Sequence, residues 1–559
     1  MRRNTLGSVS AALLVSSIAL AAVSLLASVW AAEETPKIRL NTIGYLPGKE
    51  KKASIATTCS QFAVVRVKDS SKAFEGVTTG PIFNNDTQEQ LYTADFSALK
   101  EPGEYQLDVH GVGRSAPFRV AADIYNQTFY TVVRGMYLWR CGTAVSAKHN
   151  GQIFSHGSCH TDDAYLDFVG GHEKKDGAKG WHDAGDYNKY VVNAGITVGS
   201  MFRAWEDFGP QIRKVRLDIP ESGGKTPDFL AELRWELEWL LTMQAPDGSV
   251  YHKLSTQRFG GFILPELEKE ERYFTPWSSA ATADFVAMTA AAARHFRPYD
   301  PAFADRCLEA ARKSYDFLKA HPEDHRADLK GFSTGAYQTR DPDDRLWAAA
   351  ELWETTGEAD VLRDLEARVK SMQGRVDRDF DWGNVNNLGL FTYLRSQRPN
   401  RDQTLVAQVR DILLSTTDGI VVTRNTHGYA RPLGSRYYWG CNGGVARQTL
   451  VLQAAYRLSP KPEYLNTALD ALNHLFGRNC YGRSFVTGLG FRPPMNPHDR
   501  RSGGDKVADP WPGYLVGGAN PRATSWQDIQ ADYRTNEIAI NWNAALIYAL
   551  AAFVDASGQ

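Results

Sequence analysis

Two aspartates stand three residues apart in Gly180-Trp181-His182-Asp183-Ala184-Gly185-Asp186-Tyr187, either side of a small Ala-Gly pair. Carboxylates sharing one turn can accept both hydrogens of a single water, which is what a general base acting through water requires. Taken alone, Asp186 reads equally well as a cap on the helix that begins near Tyr190. A third acid, Glu537, opens the apolar part of DIQADYRTNEIAINWNAA, residues Asp528 to Ala545. A helix N-terminus lowers a carboxyl pKa, so Glu537 can act as a general acid only where burial and a nearby carboxylate such as Asp186 outweigh the dipole. In SFVTGLGFRPPMNPHDR, Ser484 to Arg500, a Pro- and Gly-rich loop carries His498 and Arg500. Imidazole and guanidinium are directed donors for hydroxyl groups or for a catalytic carboxylate, although an isolated loop of this kind reads as an exposed basic pair.

Cys141, Cys159, His160 and His182 make a Cys2His2 set, with His182 adjoining Asp183. A metal shell and a Cys141–Cys159 disulfide both fit these residues. The remaining cysteines, Cys59, Cys307, Cys441 and Cys480, are scattered.

Acids as far apart as Asp186 and Glu537 meet only if the fold closes on itself. Short alternating strands separated by turn residues run from Lys37 to about Phe118: Ile38 to Leu40, Lys52 to Ala56, Phe62 to Val67, Leu91 to Phe96, Gly103 to Val109 and Ser115 to Val120. They predict a small all-β sandwich. After Ala122 the pattern becomes helical. In Thr226 to Gln244, for example, Thr226 can cap, Pro227 fits the first turn, and Leu230, Leu233, Leu237, Leu240 and Leu241 form one stripe. About twelve such segments begin near Tyr125, Tyr190, Pro227, Ser278, Pro301, Asp343, Asp360, Asn384, Asp402, Gly444, Pro462 and Asn536. With no strand between them and no fixed repeat period, they fit six helical hairpins closed into an (α/α)6 barrel better than an open solenoid. The connections 142–180, 244–276 and 477–535 are too long for plain links and are expected to carry function.

The chain has 559 residues, formal net charge -1, 43% hydrophobic, 23% charged and 11% aromatic residues. That composition excludes disorder and a multi-span membrane protein, and its balanced charge makes nucleic acid and acidic membranes poor partners. Arg2 and Arg3 precede an apolar run from about Val9 to Trp30 that ends at Ala31 and Ala32, so an export signal is expected over 1–32. The alternative is an uncleaved N-terminal membrane anchor, since the run is about long enough to span a bilayer. The protein is expected to be secreted or periplasmic. The domain division is 1–32 signal, 33–121 β-sandwich and 122–559 barrel.

GWHDAGDYNKYV, SFVTGLGFRPPMNPHDR and WQDIQADYRTNEIAINWNAA, in this order, resemble the motifs of the family-nine glycoside hydrolases, the inverting cellulases with an (α/α)6 barrel. The opening IRLNTIGYLP is similar to the immunoglobulin-like domain that precedes the barrel in one branch, and the resemblance runs from about Lys37 to Val554. It implies that Asp186 is the base, that Asp183 helps hold the attacking water, that Glu537 is the acid, and that His498 and Arg500 bind sugar and orient carboxylates. Where family members commonly have a second His before the arginine, this chain has Asp499. Trp382 and Trp439 are candidate glucose-stacking platforms, with a buried structural role as the alternative. The same branch carries zinc at positions matching Cys141, Cys159, His160 and His182. Four N/S ligands would close its shell and make it structural. Many relatives also bind calcium; the acidic loop Glu221-Ser222-Gly223 near Asp228 is the candidate segment, with no individual ligands assigned.

The resemblance implies an endo-β-1,4-glucanase acting on a β-1,4-glucan or cello-oligosaccharide; a monomer is expected, and no appended binding module or docking domain is expected from the sequence. An exo-acting β-glucosidase or β-glucosaminidase on the same barrel is the rival enzyme. A noncatalytic glycan-binding protein would be expected to have lost Asp186 or Glu537. A zinc hydrolase is disfavoured by the full ligand shell.

Overall fold

Alternating apolar residues fold the N-terminal part of the described chain, as far as Val120, into a two-sheet sandwich in the computed structural model, which describes residues 35–555. The expected export segment lies outside the described residues. One sheet has the order β1 (Ile38–Arg39), β3 (Lys52–Ile55), β7 (Glu89–Asp95), β6 (Thr79–Asn84). The other runs β2 (Gly44–Tyr45), β10 (Phe118–Val120), β8 (Gly103–Val109), β4 (Gln61–Arg66), β5 (Lys72–Val77), and β9 (Gly113–Arg114) pairs with β8. The β4–β8 register sets Phe62 opposite Val109 and Val64 opposite Leu107, so all four side chains enter one core with Tyr45, Phe96 and Phe118.

Twelve long helices follow. They are α1 (Asn126–Leu138), α2 (Val191–Ile212), α3 (Asp228–Thr242), α4 (Ser279–Phe296), α5 (Pro301–Ala320), α6 (Pro342–Thr356), α7 (Ala359–Ser371), α8 (Asn386–Arg395), α9 (Gln403–Thr426), α10 (Cys441–Leu458), α11 (Pro462–Leu475) and, after two short helices, α14 (Ile540–Ala551). The short ones are α12 (Arg500–Gly504) and α13 (Tyr533–Asn536). Helices α2, α4, α6, α8, α10 and α14 are buried almost all round; the others present one apolar stripe. The pairs α14–α2, α2–α4, α4–α6, α6–α8 and α10–α14 pack directly, and α5, α7, α9 and α11 back onto the ring. This is the (α/α)6 barrel. Small residues let the inner helices approach: a Cβ added to Gly199 would lie 2.7 Å from the Trp347 ring. The leucine stripe of α3 is buried at Leu230, Leu233, Leu237 and Leu240, but Pro227 itself occupies the N-cap and Thr226 does not cap.

The sandwich docks on the barrel through polar contacts. Asn41 donates to Asn473, the backbone N–H of Thr42 to the Phe476 carbonyl at 3.0 Å, and Arg478 bridges Ser54 and Asp470.

Inside the ring, Asp284 on α4 and Asp344 on α6 face each other, and no other group donates to any of their four buried oxygens. Burial holds both carboxyls well above the ordinary range, and for Asp344 the neighbouring Asp284 charge adds to it. Because the folded pKa lies above the unfolded one, the native state holds more protons than the unfolded chain in the window between the two values, and stability falls as pH rises through it. Asp344→Asn keeps a hydrogen bond to Asp284 and removes one ionisation. Thermal melts at about pH 5 and pH 8 should then differ less than in the parent protein. An undiminished difference would show that the pair does not govern the alkaline side.

Candidate active site

The cleft lies over the N-terminal ends of the inner helices. Asp183, Asp186 and Tyr190 lead into α2, Tyr337 precedes α6, Asp381 and Trp382 precede α8, Trp439 precedes α10, and Glu537 and Asn541 flank the start of α14. With Phe259, His498, Arg500 and Tyr533 they line an open cavity of about 720 Å³. The three long connections expected to carry function do reach it or its supports: 244–276 brings Phe259, 477–535 brings His498, Arg500 and Tyr533, and 142–180 brings two of the Cys/His donors.

Asp186 is not a helix cap. Tyr190 is the N-cap of α2 and has no side-chain cap bond, while Asp186 Oδ2 accepts from Asn188 Nδ2 at 2.7 Å and from the Tyr190 hydroxyl at 3.2 Å. Asp183 is 1% exposed, with Oδ1 accepting from Asn193 at 2.7 Å and Oδ2 from the Tyr337 hydroxyl at 2.9 Å. Burial, then the Asp186 charge, pushes the Asp183 carboxyl well above the usual range. Glu537 lies ahead of α14 rather than in its first turn. Its backbone is extended and bridges in parallel to His498, and Ile538 bridges to Val516. Burial first, then the charges of Asp186 and Asp183, hold Glu537 well above the carboxylate range, against Arg500 and a Gly185 N–H that act to lower it. The condition set by the sequence for a general acid is therefore met.

The loop around His498 clamps the aspartate turn. Arg500 donates from its backbone N–H at 3.0 Å and from Nη1 at 2.9 Å to the Gly185 carbonyl, and from Nε to Gly260. A Cβ on Gly185 would lie 2.1 Å from the His498 carbonyl oxygen, which is why the turn reads Ala-Gly. His498 Nδ1 pairs with the Gln530 carbonyl at 2.7 Å, leaving Nε2 for the cleft, and burial lowers its pKa and favours the neutral ring. Asp499 accepts from the backbone of Arg501 and Ser502, capping α12, and pairs with Arg501 Nε at 3.1 Å, so the position that departs from the family pattern has a structural role. Trp382 packs edge-on against Tyr337, and Trp439, 49% exposed, packs against Tyr533.

Cys141, Cys159, His160 and His182 offer one donor atom each, all within 4.8 Å of one another. None of the six cysteines forms a disulfide. Cys141 Sγ is 3.7 Å from His160 Nδ1, and Cys159 Sγ is 3.7 Å from His182 Nε2. A tetrahedral ion with bonds of about 2.3 Å to sulfur and 2.0–2.1 Å to nitrogen needs such edges to be roughly 3.5–3.8 Å. The other ring nitrogen of His160 reaches Glu268 at 3.1 Å, the second partner a metal-binding imidazole needs. The loop taken as the calcium candidate is a correction: Glu221 is bound by Arg140, and Asp228 by Ser222 Oγ and the Leu217 N–H, so their carboxylates serve protein donors.

Tyr190 and Asn188 lie within the aspartate motif and could have been singled out with it. Asn193, one turn into α2, and Tyr337, on a distant loop, carry no sequence signal that ties them to Asp183.

A family model described as glycosyl hydrolase family 9 matches residues 125–550, and one described as the cellulase N-terminal ig-like domain matches 33–114. The chain belongs to glycosyl hydrolase family 9. It is 60% identical to endoglucanase D of Acetivibrio thermocellus over 523 residues, 93% of this chain and 83% of that one. Among solved structures it is similar to a metagenome-derived family 9 endoglucanase, with TM-score 0.87 and 34% identity over 92% of this chain and 98% of the other. It is also similar to a Zn-binding triple mutant of the family 9 endoglucanase J30, with TM-score 0.85 and 31% identity over 91% of this chain and 100% of that one. The chain is thus a glycoside hydrolase of the cellulase type, built from an immunoglobulin-like sandwich and an (α/α)6 barrel. Among the described residues no helix is long and apolar enough to cross a membrane.

Proposed function

We propose that the chain is an exported endo-β-1,4-glucanase that hydrolyses internal bonds of a β-glucan by one direct displacement with inversion. The observation that carries this reading is the contrast among the three acids. Burial and two neighbouring carboxylates push the Glu537 carboxyl well above its ordinary pKa, while Asp186 keeps Oδ1 free of protein donors on the cleft side. Glu537 then protonates the leaving oxygen, and Asp186 takes the proton of a water attacking the anomeric carbon from the opposite face. Asp183, fixed by Asn193 and Tyr337, supplies the second acceptor for that water. His498 Nε2 and Arg500 serve sugar hydroxyls and the aspartate turn, and Trp382 and Trp439 offer faces for glucose rings.

Zinc fits the Cys141, Cys159, His160 and His182 set, and the J30 triple mutant that binds zinc has the same fold. Bound there, zinc would cross-link the segments carrying Cys141, Cys159-His160 and His182 as a closed, structural site. It takes no part in the displacement.

The test of the mechanism is stereochemical. A retaining enzyme uses its second carboxylate as a nucleophile, and a nucleophile gains nothing from a second carboxyl group such as Asp183 on the same turn. Early hydrolysis of a cello-oligosaccharide, followed by proton NMR, should therefore yield the α-anomer first. A predominance of β-anomer before mutarotation would refute Asp186 as base. The size distribution of products on soluble mixed-linkage glucan separates the endo-acting enzyme from the exo-acting rival.

A further inference from the structure

Arg431 lies between the sandwich and the barrel and is 1% exposed. Its Nη1 donates to the carbonyl oxygens of Gly434 and Arg436, but Nε and Nη2 have no partner, and no carboxylate pairs with it among the described residues. Two carboxylates on this side of the molecule are taken by other donors, Asp86 by the Tyr437 hydroxyl at 2.9 Å and by His427 at 3.2 Å, and Glu89 by Arg39 and the Tyr429 hydroxyl. The face of the Tyr437 ring, 4.4 Å away, packs against the guanidinium, and the Cys441 thiol lies beside it.

Arg431 borders a small cavity of about 20 Å³, with Thr87 of the sandwich and His474, Cys480 and Tyr481 of the barrel among its walls. No Asp or Glu lines it. The nearby thiols already donate to carbonyls, Cys441 to Ala519 and Cys480 to Ala523. The Tyr481 hydroxyl accepts from the Trp526 N–H, which leaves its own proton to give. Burial, then the Arg431 charge, keeps the His474 imidazole well below its ordinary pKa, a second sign that the region is electropositive.

We propose that this cavity is a halide site, in which Arg431 holds a single chloride with the Tyr481 hydroxyl as a further donor. A buried guanidinium without a counter-charge costs far more than one that is paired. A neutral water would accept its hydrogen bonds but leave the charge uncompensated. The volume admits one particle about the size of a water and excludes sulfate, phosphate and carboxylates. The segment that the ion would pin, from His427 to Cys441, carries Trp439 to the cleft. The anion would therefore tie the sandwich to one wall of the active site.

The test exchanges the full chain into sodium gluconate and follows thermal melting as sodium chloride or bromide replaces gluconate at constant ionic strength. A saturable rise on the order of 2 °C or more is expected with either halide. Sodium sulfate should not produce it, and Arg431→Met should abolish it. Crystals of the unaltered protein soaked in bromide should show an anomalous peak beside Arg431 Nε and Nη2, a readout that does not depend on the variant folding. Equal melting in gluconate and halide, a full halide response in Arg431→Met, or a bromide map with no peak at the cavity would each overturn the proposal.

Discussion

Glu537→Gln and Asp186→Asn should each remove most turnover on an unactivated β-glucan, by about 10²- to 10⁴-fold, with melting temperature little changed. The amides occupy the same space, and neither carboxylate is the sole partner of a buried cation, so the loss should fall on kcat rather than on folding. The two variants should differ on an aryl glycoside with a good leaving group. Such a substrate needs little protonation, so Glu537→Gln should be partly spared, whereas Asp186→Asn still lacks the group that activates water and should not be. Glu537 is also the residue whose raised pKa should set the alkaline side of the pH profile. It is active only while protonated, so activity should fall as pH rises through its elevated value, and the Gln variant should lose that limb. Near-normal hydrolysis by either variant, with contamination excluded, would remove the acid/base assignment. Equal losses on activated and unactivated substrates would remove the division of roles.

The three acids that line the cleft were legible in the sequence because they sit in local motifs. The aspartate turn needs Gly185 because the His498 carbonyl passes within reach of any side chain there, and the apolar run after Glu537 marks an inner helix. Helices announced themselves for a similar reason: a ring of helices buried all round requires long Ala- and Leu-rich stretches, and all twelve long helices begin within a few residues of the expected positions. Several strands escaped notice: the two-residue β2 and β9, short strands between the helices such as Val145–His149 paired with Gln152–His156, and β5 and β6, which are exposed edge strands. With little to bury, KAFEGV and TGPIFN have no alternation to read. The role of Tyr337 escaped because a loop brings it to Asp183 from a distant part of the chain. The calcium loop failed for an electrostatic reason. Its acids resemble oxygen ligands in sequence, but Glu221 is drawn into an ion-pair cluster with Arg140 and Glu232, and Asp228 accepts from Ser222 and the Leu217 N–H. Only the position of Arg140 in space shows this.

The purified protein should contain one zinc per chain, and removing it should cost stability more than chemistry. The four donors come from three separate places, the end of α1, the loop at 159–160 and His182, so a bound ion closes loops that otherwise rest on hydrogen bonds alone. Cys159→Ser, or prolonged chelation, should lower the melting temperature by several degrees or more, as structural zinc sites couple binding directly to folding. Activity should fall too, by a traceable route. His182 donates its N–H to the Trp139 carbonyl at 2.9 Å, and Asp183, the next residue, uses its carbonyl to accept from Ile540 at 2.9 Å, three residues past Glu537. Loosening His182 therefore loosens the turn that holds Asp183 and Asp186, and the strand that holds Glu537. If zinc acts only through this positioning, the apo-protein at a temperature where it remains folded should lose part of kcat and regain it on adding zinc. The shape of its pH profile should be unchanged, because the ionising groups are the same. A protein free of zinc, with mass spectrometry showing Cys141 joined to Cys159, would replace the metal site with a disulfide.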